Sequence, residues 1–266
     1  MVFTSGLGES GSTWDGVISR LPAGTATFTY DRAGCGASGA LSAEIAAGER
    51  SIVWGAEQLL KLLEAAEVQG PWVLVGHSIG GLITDALARR SEAVVGMVLI
   101  DASDPAFNAG LDEPEEVYVD GRDGEGWRIS MPATLQDFEP GPDRPVETVV
   151  IGSAIWRWLD LDDPAPYRPL SLAELDARWH RYQLSLAERW GGHLVVPHFA
   201  GHGVPREAPD LVAVTTRTVV AAAAAGKPVQ LEQDALMRCG GAVRVSVNDG
   251  RFVVWDSVGE RQTGES

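Results

Sequence analysis

Positive charge is scarce in this chain. Over 266 residues, 21 Lys and Arg stand against 37 Asp and Glu, for a net charge of −16, and only Lys61 and Lys227 are lysine. Such a surface repels phosphate backbones and anionic headgroups, so neither nucleic acid nor an anionic membrane is expected as a partner. Cysteine is nearly absent too. Cys35 and Cys239 make no CxxC pair and no zinc-ligand spacing, so both are expected as free thiols, with no metal implied. That usage fits a cytoplasmic address. No apolar run approaches the ~18 residues that would span a bilayer, and no signal-type leader is read, so a soluble protein is expected. Sparse Lys beside abundant Ala, Gly and Arg points to a GC-rich bacterial genome. No internal repeat is found, and the Ala221–Ala225 run is simplest as the end of a helix.

What is present is enough for a large core. The chain is 45% hydrophobic and 22% charged, which argues for a folded domain. Strand-like segments at 2–6, 26–31, 72–76, 93–101, 147–152 and 193–197 are separated by helix-like ones at 12–21, 51–68, 82–90, 172–190 and 209–225. The strands are continuous apolar runs such as "WVLV", and such runs predict a parallel sheet covered on both faces. The fold class is therefore α/β, mostly parallel and doubly wound, with functional groups gathered at the carboxyl ends of the strands.

Two segments break the alternation. Residues 105–145 are acidic and rich in Gly and Pro, consistent with a lid or cap over the sheet, or with a plain solvated insertion. After a linker at 226–241, "VRVSVNDGRFVVWD" (243–256) reads as a β-hairpin turning at "NDG", so residues 242–266 would join the 1–225 core in a single domain.

The chemistry centres on "GHSIG" (76–80). It follows a buried strand and opens a helix, the setting in which G-x-S-x-G presents a nucleophile. A sharp strand-to-helix turn strains the central residue, so its neighbours two positions away must be small, and Gly76 and Gly80 are. The bland alternative is a Gly-rich turn that packs a helix closely on a strand. A nucleophilic serine needs a base and a group to orient that base. Of the five histidines, His77 lies inside the turn and points away, His180 lies in a helix and His193 starts a strand. His202 sits in the loop after the last strand of the core and is preferred, with His198 as the alternative. For the acid, Asp101 at the end of the strand "VLID" is preferred, because a carboxylate ending a buried strand is costly unless it is paired, with Asp104 and the group Asp160, Asp162 and Asp163 as the alternatives. The Gly-rich loop "TSGLGESG" (4–11) can aim the Leu7 N–H to join that of Ile79 as an oxyanion hole. A phosphate cradle is the competing reading, because "GLGESG" fits G-x-G-x-x-G with Asp31 about 20 residues on.

Taken in order, "FTSGLGESGSTW", "YDRAGCGASG", "LVGHSIGG", "VLIDASDP" and "AGHGVPREAPDLV" resemble the α/β-hydrolase family over about residues 2–225. The resemblance implies Ser78 as nucleophile, His202 as base, and the N–H groups of Leu7 and Ile79 for the oxyanion, without metal or organic cofactor. An acid after "VLID" is a minority arrangement in that family. The usual slot after "ETVVIG" holds no carboxylate, and Ser5 stands where many members carry His. Members also usually begin with an antiparallel hairpin that this chain lacks at its front. The tail hairpin could fill those first two strand places through a circular permutation, which requires it to lie beside strand 26–31; otherwise it is an added edge or dimer element. The expected function is hydrolysis of a carboxylic ester, thioester or lactone of a small apolar molecule. An acyl transferase or cyclising enzyme with the same residues, and a non-catalytic binding protein on the same fold, are the alternatives.

Overall fold

The computed structural model describes residues 1–121, 126–138, 144–155, 157–248, 251–255 and 261–264. Strand β1 (Val2–Thr4) leads through the short helix α1 (Asp15–Ile18) to β2 (Phe28–Thr29). The short helix α2 (Ala43–Ala47), β3 (Glu49–Arg50) and α3 (Ile52–Ala65) follow. Next come β4 (Trp72–His77), α4 (Ile79–Arg90) and β5 (Val94–Ile100). The 105–145 segment carries β6 (Val117–Asp120), β7 (Trp127–Ser130) and α5 (Met131–Asp137). Then come β8 (Glu147–Ile151), α6 (Leu172–Arg189), β9 (His193–Pro197), α7 (Val204–Glu207) and α8 (Pro209–Ala225). The tail is α9 (Gln233–Arg238), β10 (Gly241–Asn248), β11 (Arg251–Trp255) and β12 (Arg261–Gly264).

The main sheet runs β12-β11-β10-β9-β8-β5-β4-β1-β2, and β3, β7 and β6 make a small second sheet. From β9 to β2 every pairing is parallel, as the unbroken apolar runs require. Side chains of β4 alternate between two buried faces. Leu74 packs with Leu82, Ile83 and Met97 under α3 and α4, while Val73 and Val75 pack with Leu211 and Val219 of α8. Each such buried aliphatic contributes about 1.5–3 kcal/mol. Helix α6 starts where its sequence says it should, with Ser171 and Glu174 forming a capping box. Among the described residues no helix is long and apolar enough to cross a membrane.

The permutation is not what the chain does. The hairpin β10–β11 is attached to β9, antiparallel, at the edge opposite β2. The reason lies in the stretch expected as a linker. Its Val229 and Leu236 are buried in the core, the Val229 N–H donates to Glu147 at the start of β8, and the Val229 carbonyl lies 3.0 Å from His193 Nε2 at the start of β9. Those ties hold the chain at the β8–β9 side, where β10 covers an edge that would otherwise present unpaired backbone groups. The hairpin is longer than expected, because β12 pairs with β11; the centre of the "NDG" turn lies outside the described residues.

Candidate active site

At the carboxyl end of β4 the backbone turns sharply into α4 at Ser78, whose φ of 55° and ψ of −123° lie in a region that L-residues avoid. The flanking glycines are a steric necessity. A Cβ on Gly76 would stand 2.5 Å from the Gly80 carbonyl oxygen, and one on Gly80 would stand 2.3 Å from the Thr4 carbonyl oxygen of the neighbouring β1. Backbone cannot yield there as a flexible side chain could. The turn therefore packs against β1 and still holds the Ser78 side chain at a cavity of about 430 Å³.

His202, in the loop between β9 and α7, places Nε2 2.9 Å from Ser78 Oγ. Its Nδ1 lies 2.7 Å from Asp101 Oδ2. A carboxylate only accepts, so this contact puts a proton on Nδ1 and leaves Nε2 to accept from the serine hydroxyl. Asp101 is wholly buried at the end of β5. Burial would push its carboxyl up, but the His202 hydrogen bond, the Arg157 guanidinium, the His202 charge and the Trp179 indole together hold it at about 2. Its Oδ1 accepts from Ser153 N–H (2.8 Å) and Trp179 Nε1 (2.6 Å), and its Oδ2 also accepts from Arg157.

The structure thus brings Ser78, His202 and Asp101 into one hydrogen-bonded row and leaves the competitors aside. Asp104 accepts the Ala106 N–H instead, Asp163 accepts the Ala165 N–H, and Asp162 is exposed. The Asp160 side chain lies outside the described residues. His198 is exposed at the end of β9 and does not line the cavity. Leu7 and Ile79 both line the cavity beside Ser78, and neither N–H has a protein acceptor among the described residues. The phosphate-cradle reading of "GLGESG" fails on the same loop: the Gly6 and Gly8 N–H groups that would hold a phosphate are already bonded to Glu9 and Asp120. Among the described residues no group of three or more His, Cys, Asp or Glu is arranged to hold a metal ion.

Several neighbours were not legible beforehand. Glu9 accepts from Gly6 N–H (2.8 Å) and Arg206 (2.6 Å), and its Oε2 lies 3.2 Å from His77 Nδ1. His77 Nε2 in turn lies 2.7 Å from the His202 carbonyl oxygen, so the histidine inside the turn ties the elbow to the loop that carries His202. Ser5 ties its own loop down as well, donating to the Ser10 carbonyl and accepting from Trp14. Arg157 fills the stretch after β8 where a carboxylate would be sought, so that slot supplies a cation to Asp101 in place of an anion to His202. The outer wall of the cavity is aromatic, with Phe107, Trp158, Tyr167 and Trp179 packed edge to face or stacked at centroid distances of 5.1–6.3 Å.

This network has a consequence for acid stability. Burial opposes the charge on Glu9, yet the His77 hydrogen bond and charge, Gly6 N–H and Arg206 bring it down to about 2 from an ordinary 4.5, while Asp101 falls to about 2 from 3.8. Both groups sit lower in the folded state, so their contribution is complete above about pH 4.5 and is lost as pH falls towards 2. For the wholly buried Asp101 it amounts to roughly 2 kcal/mol, at about 1.4 per unit, while solvent screening makes the Glu9 contribution smaller. Glu9→Gln is expected to flatten the fall of the urea midpoint between those pH values. An equally steep fall in the variant would assign the acid sensitivity elsewhere.

Residues 1–230 match the profile of the Alpha/beta hydrolase family. The chain belongs to the alpha/beta hydrolase family. Among individual relatives, the Bacillus subtilis (strain 168) protein YqjL is 37% identical over 102 residues, a match that spans 38% of this chain and 38% of YqjL. Solved structures share the fold, two of them named as esterases. The thermophilic esterase from Thermogutta terrifontis is 18% identical with a TM-score of 0.57, over 84% of this chain and 89% of that one. The methylesterase MES16 from Arabidopsis is 21% identical with a TM-score of 0.52, over 83% and 98%. In this chain the turn at Ser78 follows β4, which lies between β5 and β1 in the parallel part of the main sheet.

Proposed function

We propose that this protein is a serine hydrolase that cleaves a carboxylic ester, thioester or lactone of a small apolar molecule through an acyl-enzyme on Ser78. The observation that carries the reading is the row Asp101 Oδ2–His202 Nδ1 (2.7 Å) and His202 Nε2–Ser78 Oγ (2.9 Å), set on a strained elbow. Ser78 Oγ attacks the carbonyl carbon while His202 Nε2 takes the hydroxyl proton, and Asp101 stabilises the imidazolium. The carbonyl oxygen, now an oxyanion, accepts from Leu7 and Ile79 N–H, each such donor being worth roughly 10²–10³ in rate. The carbon–oxygen (or carbon–sulfur) bond then breaks, and His202 returns the proton to the leaving group. Water attacks the acyl-enzyme by the same route in reverse, freeing the acid and Ser78. No step calls for a cofactor. The aromatic wall suits an apolar or aromatic substituent, and a cavity of about 430 Å³ suits a small molecule.

A non-catalytic reading would be favoured by an Asp101 turned away from His202, which the 2.7 Å contact argues against. The test is mass labelling. A fluorophosphonate is expected to add once, on Ser78, in the folded protein and not after denaturation. Folded protein that stays unlabelled would remove the proposal.

A further inference from the structure

The oxyanion reading leaves open what aims the Leu7 N–H, since Leu7 lies in a glycine-rich loop whose backbone has wide freedom. The answer lies in a buried ion pair away from Ser78. Arg32, in the loop after β2, meets Asp120 at the end of β6 in a bidentate pair through Nε and Nη2, with Asp120 fully buried and the Arg32 side chain 9% exposed. Both members also hold the loop. Arg32 donates to the carbonyl oxygens of Ser5 (2.7 Å) and Gly6, and Asp120 Oδ1 accepts the Gly8 N–H at 2.8 Å. The peptide groups on either side of Leu7 are therefore gripped by the two halves of one ion pair.

Geometry gives that grip its meaning. The Gly6–Leu7 peptide is trans, and a trans unit sets its C=O and N–H on opposite sides. Fixing the Gly6 oxygen on the guanidinium therefore also fixes the Leu7 N–H, which points the opposite way, in a residue that lines the cavity. A cation on the carbonyl also polarises the peptide and makes its N–H a stronger donor. We propose that Arg32 and Asp120 are positioning residues for the oxyanion site, and that through Asp120 the 105–145 insertion helps to set the geometry of the reaction beyond covering the cavity. Trp127 of β7, whose indole donates to Asp120 Oδ2 at 2.8 Å, supports the carboxylate from the insertion's side.

This inference rests on the serine-hydrolase reading, and the experiment separates the two. In the wild type, fluorophosphonate labelling and turnover of p-nitrophenyl acetate test that reading first, and an inert wild type ends both. Given an active wild type, Asp120→Asn and Arg32→Lys are expected to lower kcat roughly 10- to 100-fold with KM changed less than about threefold. The affinity for a trifluoromethyl ketone, which binds as an oxyanionic hemiketal, should fall by the same factor. Leu236→Ala, a truncation of a buried side chain in α9 away from the cavity, should melt earlier yet keep kcat. Folded Asp120→Asn and Arg32→Lys proteins with unchanged kcat, or a Leu236→Ala protein that loses kcat equally, would overturn the proposal. Should neither pair variant fold, the wild type still decides. The Leu7 amide proton is expected to move downfield when a phenylboronate binds Ser78, and an unmoved Leu7 resonance overturns the inference.

Discussion

Ser78→Ala is expected to abolish ester turnover, lowering kcat by roughly 10⁶-fold, the scale on which removing a triad serine acts. The loss is that large because no other hydroxyl takes its place: Ser103 Oγ lies 3.4 Å from Ser78 Oγ, but the His202 nitrogen is aimed at Ser78. Stability offers the control. Alanine keeps the Cβ and so keeps the strain of a residue at φ 55°, and the variant should melt with the wild type. Ser78→Gly removes that strain and should melt later than Ser78→Ala, while being equally inactive. Steady-state hydrolysis of a p-nitrophenyl ester with parallel thermal melts makes the comparison. An alanine variant that still shows an acyl-enzyme burst would move the nucleophile elsewhere.

Asp101→Asn is expected to cost about 10⁴ in kcat, because the amide can present its NH2 to Nδ1 and so leave the proton on Nε2, the tautomer unable to accept from Ser78. Here the substitution has a second effect. Arg157 contacts the same carboxylate from a largely buried position, with burial already pulling its own pKa down, and removing the negative charge strands it. Breaking a buried pair in this way costs about 3–5 kcal/mol. The double variant Asp101→Asn with Arg157→Gln separates the two effects. It should regain thermal stability without regaining rate. Recovery of rate in the double variant would mean that Asp101 acts through folding alone.

How far the residues could be read in advance differs from place to place. Buried strands and long helices were legible from periodicity, and α8 falls on the expected 209–225 span because its apolar spacing and its Gly226 stop are both local signals. The strand expected at 26–31 shrinks to Phe28–Thr29, since an edge strand has one neighbour to define it. The 105–145 segment hid β6, β7 and α5 behind weak periodicity, because its small sheet is completed by Glu49–Arg50 from far away in the chain. Arg157 carries no sequence signal for its role, because a cation after β8 acquires one only through its contact with Asp101, 56 residues away. Glu9, His77, Arg32 and Asp120 carry no spacing signal at all: Arg32 and Asp120 are 88 residues apart.

By itself the sequence determined a mostly parallel α/β sheet, a strained serine between two obligatory glycines, and a histidine loop after the last strand of the core. Those are statements about neighbours along the chain, where sterics and periodicity act within a few residues. Which carboxylate meets His202, which edge takes the tail hairpin, and what grips the loop around Leu7 were decided only by the tertiary structure. Each depends on groups dozens of residues apart whose burial makes a partner obligatory, and only the folded chain settles which partner lies within reach.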